Sequence, residues 1–211
     1  MEIILIGDSG HAKVIRDCVE SCGNQVIAML DDKYKEITVH SNSIKAPIEH
    51  IEELIKVNRR KVVIAIGNNT IRKKIVERLS LSDHDYATII HKKAIVSHSV
   101  EIGVGTVIMP GVTINADSKV GNHCIINTSS VVEHDCNVED FAHISPNSTI
   151  TGGVHIGKGV HLGAGGIVIP LKSVGQWSII GAGAVVVKDI PSFCTAIGAP
   201  AKAIKFHNGS V

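Results

Sequence analysis

The sequence predicts two modules in series: a small α/β domain with a parallel, Rossmann-like sheet over residues 1–85, then an all-β helix of hexapeptide repeats over 86–211. Two observations predict this. An aliphatic residue returns every six positions at Ile90, Val96, Ile102, Ile108, Ile114, Val120, Ile126, Val132, Val138, Ile144, Ile150, Ile156, Leu162, Val168, Val174, Ile180 and Val186. Ahead of that run, an apolar stretch leads through a glycine turn into helical spacing, the opening of a βαβ unit. The 211 residues have room for a solenoid and one small domain in front of it.

In the front module, Ile3 to Ile6 reads as a strand, Gly7-Asp8-Ser9-Gly10-His11 as the turn, and Ala12 to Cys22 as a helix. Gln25 to Leu30 is the second strand, with Asp31 and Asp32 at its carboxyl end. Glycines at the first turn and an acid after the second strand are how α/β folds hold a nucleotide, although the third glycine of G-x-G-x-x-G is missing. Ile51 to Val57 (helix), Val62 to Ile66 (strand), Gly67-Asn68-Asn69 (turn) and Thr70 to Leu79 (helix) complete the sheet. Gly67 and Asn68 are then expected at a strand edge beside Gly7 to His11, where ligands bind in open α/β sheets. The polar segment Ser80 to Ile89 is the boundary, short enough for both modules to share one substrate.

In the repeat, a mostly small residue sits two before each aliphatic one, as at Thr106, Ser118, Cys124, Cys136 and Ala142, and glycine often follows it, as at Gly103, Gly121 and Gly157. Each hexad thus gives a short strand with two inward side chains and a corner where glycine relieves crowding. Period six does not fit an α-helix. Lys172 occupies an inward slot of this frame, next to Leu171, and predicts a distorted coil there.

Composition limits the function. With 21 basic against 20 acidic side chains and 3% aromatics, nucleic acid is not an expected partner. The Arg59-Arg60-Lys61 and Arg72-Lys73-Lys74 runs read as solvated surface. No apolar stretch reaches membrane-spanning length and no signal segment opens the chain, so the expected location is cytoplasmic, with no membrane partner. The five cysteines form no CxxC pair, and Cys124 and Cys136 fall in inward slots as packing residues.

The opening GDSGHAK, the stretch NTSSVVEHDCNVEDFAHISP and the closing VVVKDIPSFCTAIGAPAK resemble, over nearly the whole chain, the bacterial sugar acyltransferases of the sialic acid O-acetyltransferase type. Relatives in that group acetylate the 4-amine of nucleotide-linked 4-amino-4,6-dideoxy sugars, as in UDP-N-acetylbacillosamine or GDP-perosamine N-acetylation. The resemblance implies a left-handed parallel β-helix, a homotrimer with sites between chains, acetyl-CoA as co-substrate, no metal, and a place in surface-glycan synthesis. It implies that His134 is the general base, Asp135 the acid that raises its basicity, and Asn127 a polar residue near the reacting amine. It further implies that His143 touches the thioester region, that backbone near Ala164 and Ala182 lines the CoA arm, and that Ser9, Gly10, His11, Asp31, Asp32, Gly67 and Asn68 cradle the nucleotide sugar.

The chemistry suits these residue types. An amine attacking a thioester must lose a proton, and an imidazole titrating near neutrality can take it; a carboxylate on its other nitrogen fixes the tautomer and stabilises the imidazolium. The competing reading of His134 is an exposed corner histidine without a role. With eighteen residues per coil, His134 and His143 differ by nine and fall on different sides of the solenoid, so a site using both needs two chains. Three other functions remain open: O-acetylation of sialic acid or another sugar, a metal-dependent carbonic-anhydrase-like enzyme, and a non-catalytic sugar-binding trimer. For the metal enzyme, His98 and His134 lie two coils and roughly 10 Å apart within one chain, too far for a single zinc at about 2 Å per bond, which leaves a site between chains as the open form of that reading.

Overall fold

The computed structural model describes residues 1–40, 43–57 and 60–209. The front module opens with β1 (Glu2–Ile6), α1 (Gly10–Ser21) and β2 (Gln25–Leu30). It continues with β3 (Thr38–His40), β4 (Ser43–Ala46), α2 (Ile51–Ile55), β5 (Arg60–Ile64) and α3 (Asn69–Leu79). The sheet order is β3-β4-β2-β1-β5, parallel except for β3 against β4. The order reverses between β1 and β5, so Gly7 and Gly67 follow the two strands that flank the crevice where such sheets bind ligands. The hairpin at β3 and β4 is absent from the sequence reading, and β5 begins two residues earlier than expected.

The rest is a parallel β-helix built from two-residue strands stacked at a separation of eighteen. Ile108, Ile126, Ile144, Leu162 and Ile180 form one fully buried column, with similar columns on the other two sides. Each buried aliphatic side chain stabilises the coil by about 1.5–3 kcal/mol. The small inward residues carry their polarity safely: the Thr106, Ser118 and Ser148 hydroxyls donate to the carbonyls of Gly121, Glu133 and Gly163. At Gly157 a Cβ would stand 2.7 Å from the Gln176 nitrogen of the next coil, the crowding that the glycine corners were expected to relieve.

Three faces result. The strand pairs Ile89–Ile90, Val107–Ile108, Ile125–Ile126, His143–Ile144, His161–Leu162 and Ile179–Ile180 make the covered face, on which the front module lies. Helix α1 is sandwiched there: its Ala12, Ile15, Cys18 and Val19 join one buried cluster with Ile89, Val107 and Ile108. A second face presents Ile95, Thr113, Val131, Thr149, Ile167 and Val185 outward, an apolar stripe with Ile95 and Ile167 exposed. The third is polar, with Glu101, Lys119, Asn137, His155 and Ser173. A hairpin, Cys194–Ile197 with Lys202–Phe206, closes the covered face.

Two expectations need correction. The coil at Lys172 is regular: His155 and Ile156 pair in register with Ser173 and Val174, and the His155 amide reaches the Lys172 carbonyl at 2.9 Å. Lys172 is half-buried, so its methylenes can pack in the slot while the ammonium escapes. Arg72 is not solvated surface but 1% exposed, drawn into the junction by carbonyl oxygens of both modules. In the other basic run, Arg60 pairs with Glu2 at 2.8 Å and Arg59 lies outside the described residues. Among the described residues no helix is long and apolar enough to cross a membrane, and no group of three or more His, Cys, Asp or Glu is placed to hold a metal ion.

Candidate functional site

Most of the expected site residues gather at two places. The first is the corner between the apolar and polar faces. There the backbone of Asp135 takes the left-handed conformation, φ 57°, that recurs at this position of the coils, also at Ser129 and Phe141. That turn brings an Asp135 carboxylate oxygen to 2.7 Å from His134 Nδ1. Both side chains are well exposed, and the hydrogen bond to Asp135 holds the His134 pKa above its ordinary value. With Nδ1–H donating to the carboxylate, Nε2 is left as the acceptor. The ring lies against Gly152 of the next coil, where a Cβ would come within 2.6 Å of Nε2.

The second is a cleft of about 380 Å³ where the front module meets the covered face, lined by Gly67, Asn68, Asn69, Thr70, His143, Gly159, His161, Trp177 and Ile179. His143 is its buried wall. Its Nδ1 lies 3.2 Å from the Gly67 carbonyl and its Nε2 3.0 Å from Asn127 Nδ2. Asn127 Oδ1 already accepts from the Thr128 amide, so its Nδ2 faces the ring as a donor. His143 is therefore the Nδ1–H tautomer with both nitrogens engaged. Burial, reinforced by neighbouring His161 and Arg72, pushes its pKa down to about 3, so it stays neutral near pH 7. His161 stacks on it at 4.8 Å and meets Ser145 Oγ at 2.9 Å.

The front-module residues converge on the same region. Asn68 caps α3 by accepting from the Ile71 amide at 2.9 Å, which presents Gly67 and Asn68 at the rim. The His11 ring sits 6.3 Å from that of His143, and its Nε2 is buried without a partner. Burial, with the charge of Arg72, pushes its pKa down to about 4. Ser9 and Gly10 are exposed where α1 begins. Asp31 folds back onto the glycine turn, accepting from the Asp8 amide at 2.8 Å. Asp32 is held by Arg78 at 2.7 Å on the surface. Asp8 itself is engaged by Lys45 at 2.9 Å and by the Tyr34 hydroxyl.

The structure thus brings His143, Asn127, Gly67, Asn68 and His11 together and leaves His134 and Asp135 at a different corner. Ala164 and Ala182 are exposed one coil apart at the corner between the covered and apolar faces, the corner that also carries Asn127. His143 does not lie on an open face, because the chain's own front module covers it. His161 and Trp177 belong to the cleft though the sequence reading gave neither a role there. The period alone could have found His161, eighteen residues beyond His143.

A β-helix joined to a small α/β domain over a cleft is the architecture of the sugar acyltransferases to which this chain is similar. A family model described as the PglD N-terminal domain matches residues 2–79. The perosamine N-acetyltransferase of Caulobacter crescentus superposes with a TM-score of 0.90 at 37% identity, covering 97% of each chain; it was crystallised with CoA and GDP-perosamine as a histidine-to-asparagine mutant. The acetyltransferase domain of PglB from Neisseria gonorrhoeae, in complex with acetyl coenzyme A, matches at 31% identity and a TM-score of 0.86 over 96% of this chain and 98% of that one. UDP-N-acetylbacillosamine N-acetyltransferase of Bacillus subtilis is 44% identical over 113 residues, 51% of this chain and 50% of that one, so the alignment spans about half the length of that relative. The chain belongs to the family of nucleotide-linked amino-sugar N-acetyltransferases.

Proposed function

We propose that this protein transfers the acetyl group of acetyl-CoA to the amino group of a nucleotide-linked 4-amino-4,6-dideoxy sugar in the cytoplasm, at a site shared between neighbouring chains of a homotrimer. The observation that carries the reading is the His134–Asp135 pair, an exposed imidazole whose Nε2 is free to accept a proton while Nδ1 is anchored. The sugar amine attacks the thioester carbonyl carbon and gives its proton to His134 Nε2. Asp135 stabilises the imidazolium. The tetrahedral intermediate then collapses to the amide, and the departing CoA thiolate takes the proton back. Such a base contributes roughly 10² to 10⁴ in rate.

The cradle for the nucleotide sugar is Ser9, Gly10, His11, Gly67 and Asn68, with Asp31 as the acid after the second strand. Asp31 braces the glycine turn through the Asp8 amide and shapes the cradle from beneath, whereas Asp32 pairs with Arg78 on the surface. Backbone near Ala164 and Ala182 lines the arm of acetyl-CoA. His143, neutral and with both nitrogens engaged, serves as a wall beside the thioester rather than as an acid or base.

The trimer rests on the stripe of Ile95, Val131, Ile167 and Val185, of which Ile95 and Ile167 are left exposed by the described residues. His134 bounds that stripe on one side; Asn127, Ala164 and Ala182 bound it on the other. Closed three-fold packing on this face brings one edge of each chain to the opposite edge of the next. The test is a thiol-release screen with acetyl-CoA against UDP- and GDP-linked 4-amino sugars, free sialic acid and simple amines. Release only with nucleotide-linked amino sugars supports the proposal. Turnover of sialic acid with every nucleotide sugar inert replaces it by O-acetylation.

A further inference from the structure

Arg72 is a buried cation with no acidic partner among the described residues. Its five N–H bonds meet six oxygens instead, the most distant being the Ala142 carbonyl at 3.5 Å. Nε donates to the His123 carbonyl at 2.8 Å; Nη1 donates to Ile66 and Gly67 at 2.9 and 3.2 Å. Nη2 donates to Asn69 Oδ1 and the Phe141 carbonyl, both at 2.8 Å. Asn69, oriented by that bond, donates onward to the Gly159 and Val160 carbonyls at 3.1 Å. His123, Phe141 and Gly159 are eighteen apart, so the pair reaches corners of three successive coils. The front module is thereby held at a fixed height along the stack.

The Gly67 carbonyl links this clamp to the cleft, since it accepts both from Arg72 and from His143 Nδ1. We propose that Arg72 is a positioning residue that locks the Gly67–Asn69 turn onto the β-helix at the height where the Gly67 carbonyl holds His143 as the Nδ1–H tautomer, so that it sets the geometry of the cleft. The tautomer claim stands on the structure alone; its consequence for turnover rests on the proposed acetyl transfer. Lysine keeps the charge but has three donors on one nitrogen and cannot reproduce the five-donor planar fork that spans both modules.

The experiment is ¹⁵N NMR of protein labelled at the histidine rings, with His143 assigned by its loss in His143→Gln. Wild type should show Nδ1 protonated and Nε2 unprotonated. Arg72→Lys, folded by circular dichroism, should show exchange between tautomers, and turnover lower by roughly 10²-fold, the scale for misplacing a bound group by about 1 Å. If Arg72→Lys does not fold, Asn69→Ala, which loosens the same turn but leaves the arginine, should show a smaller change of the same sign. A wild-type His143 signal in whichever variant folds overturns the proposal. Absence of acetyl transfer in the wild type would defeat the proposed function and leave the tautomer result standing.

Discussion

His134 Nδ1 and Asp135 Oδ2 are 2.7 Å apart on adjacent residues, a contact made possible by the left-handed backbone of Asp135 at the corner. Because both side chains are exposed, the pair adds little to stability and is suited to chemistry. His134→Ala should leave the thermal transition unchanged and lower turnover by about 10²-fold or more, read as thiol release. Near-normal turnover would remove the base assignment.

Asp135→Asn should cost less than His134→Ala and also move the pH profile. A base must be deprotonated to act, and Asp135 favours the protonated ring, raising its pKa. Without that carboxylate the acidic limb of kcat/KM should shift to lower pH. A limb that stays in place would mean that another group titrates there.

Gly152→Ala probes the seat of the proposed base, His134. The new methyl would lie 2.6 Å from His134 Nε2, and an exposed ring can swing away from it at small cost to the fold. Turnover should drop about ten-fold while thermal stability holds, in proportion to the displacement of the ring. Unchanged turnover would mean that the ring does not act from this position.

Asp31→Ala should raise KM for the sugar nucleotide more than KM for acetyl-CoA, because it frees the Asp8 amide at the glycine turn. Asp32→Ala should do so less, since it breaks only an exposed ion pair with Arg78. Equal effects of Asp31→Ala on both KM values would count against the cradle.

Acid should unfold the protein through its buried imidazoles. Burial holds His11 and His123 at about 4 and His143 at about 3, all below the unfolded value of 6.5. Their neutral forms contribute stability that is fully present above pH 6.5 and is lost as pH falls from there through 4 toward 3. Each proton taken up on unfolding lowers stability by about 1.4 kcal/mol per pH unit. Urea midpoints measured from pH 7.5 to 5 should be flat above 6.5 and fall below it; a flat profile throughout would contradict the burial.

The solenoid was legible because its period is the fold: an aliphatic residue every six positions fixes strand, corner and stacking register together. The strand from Gln25 to Leu30 and the glycine turn were readable for the same local reason. Arg72 was not, because its burial depends on carbonyls of residues 51 and 69 positions away, which no window around Arg72-Lys73-Lys74 contains. The covered face was hidden likewise: His143 reads as outward in the repeat, and only docking of the front module makes outward mean buried. Trp177 falls outside the aliphatic frame of the repeat, and its ring fills the space beneath Gly159, where a Cβ would stand 2.3 Å from it.

That one chain's His134 completes a neighbour's cleft is tested most directly by mixing two inactive proteins. His134→Ala lacks the proposed base, and Ala164→Trp obstructs the proposed groove for the acetyl-CoA arm at the opposite edge of the apolar stripe. Co-refolded and isolated as mixed trimers with two affinity tags, they should regain thiol release well above either parent, because some sites then combine an intact base with an open groove. Mixed trimers that form and stay inactive would contradict the shared site and assign the reaction to a single chain.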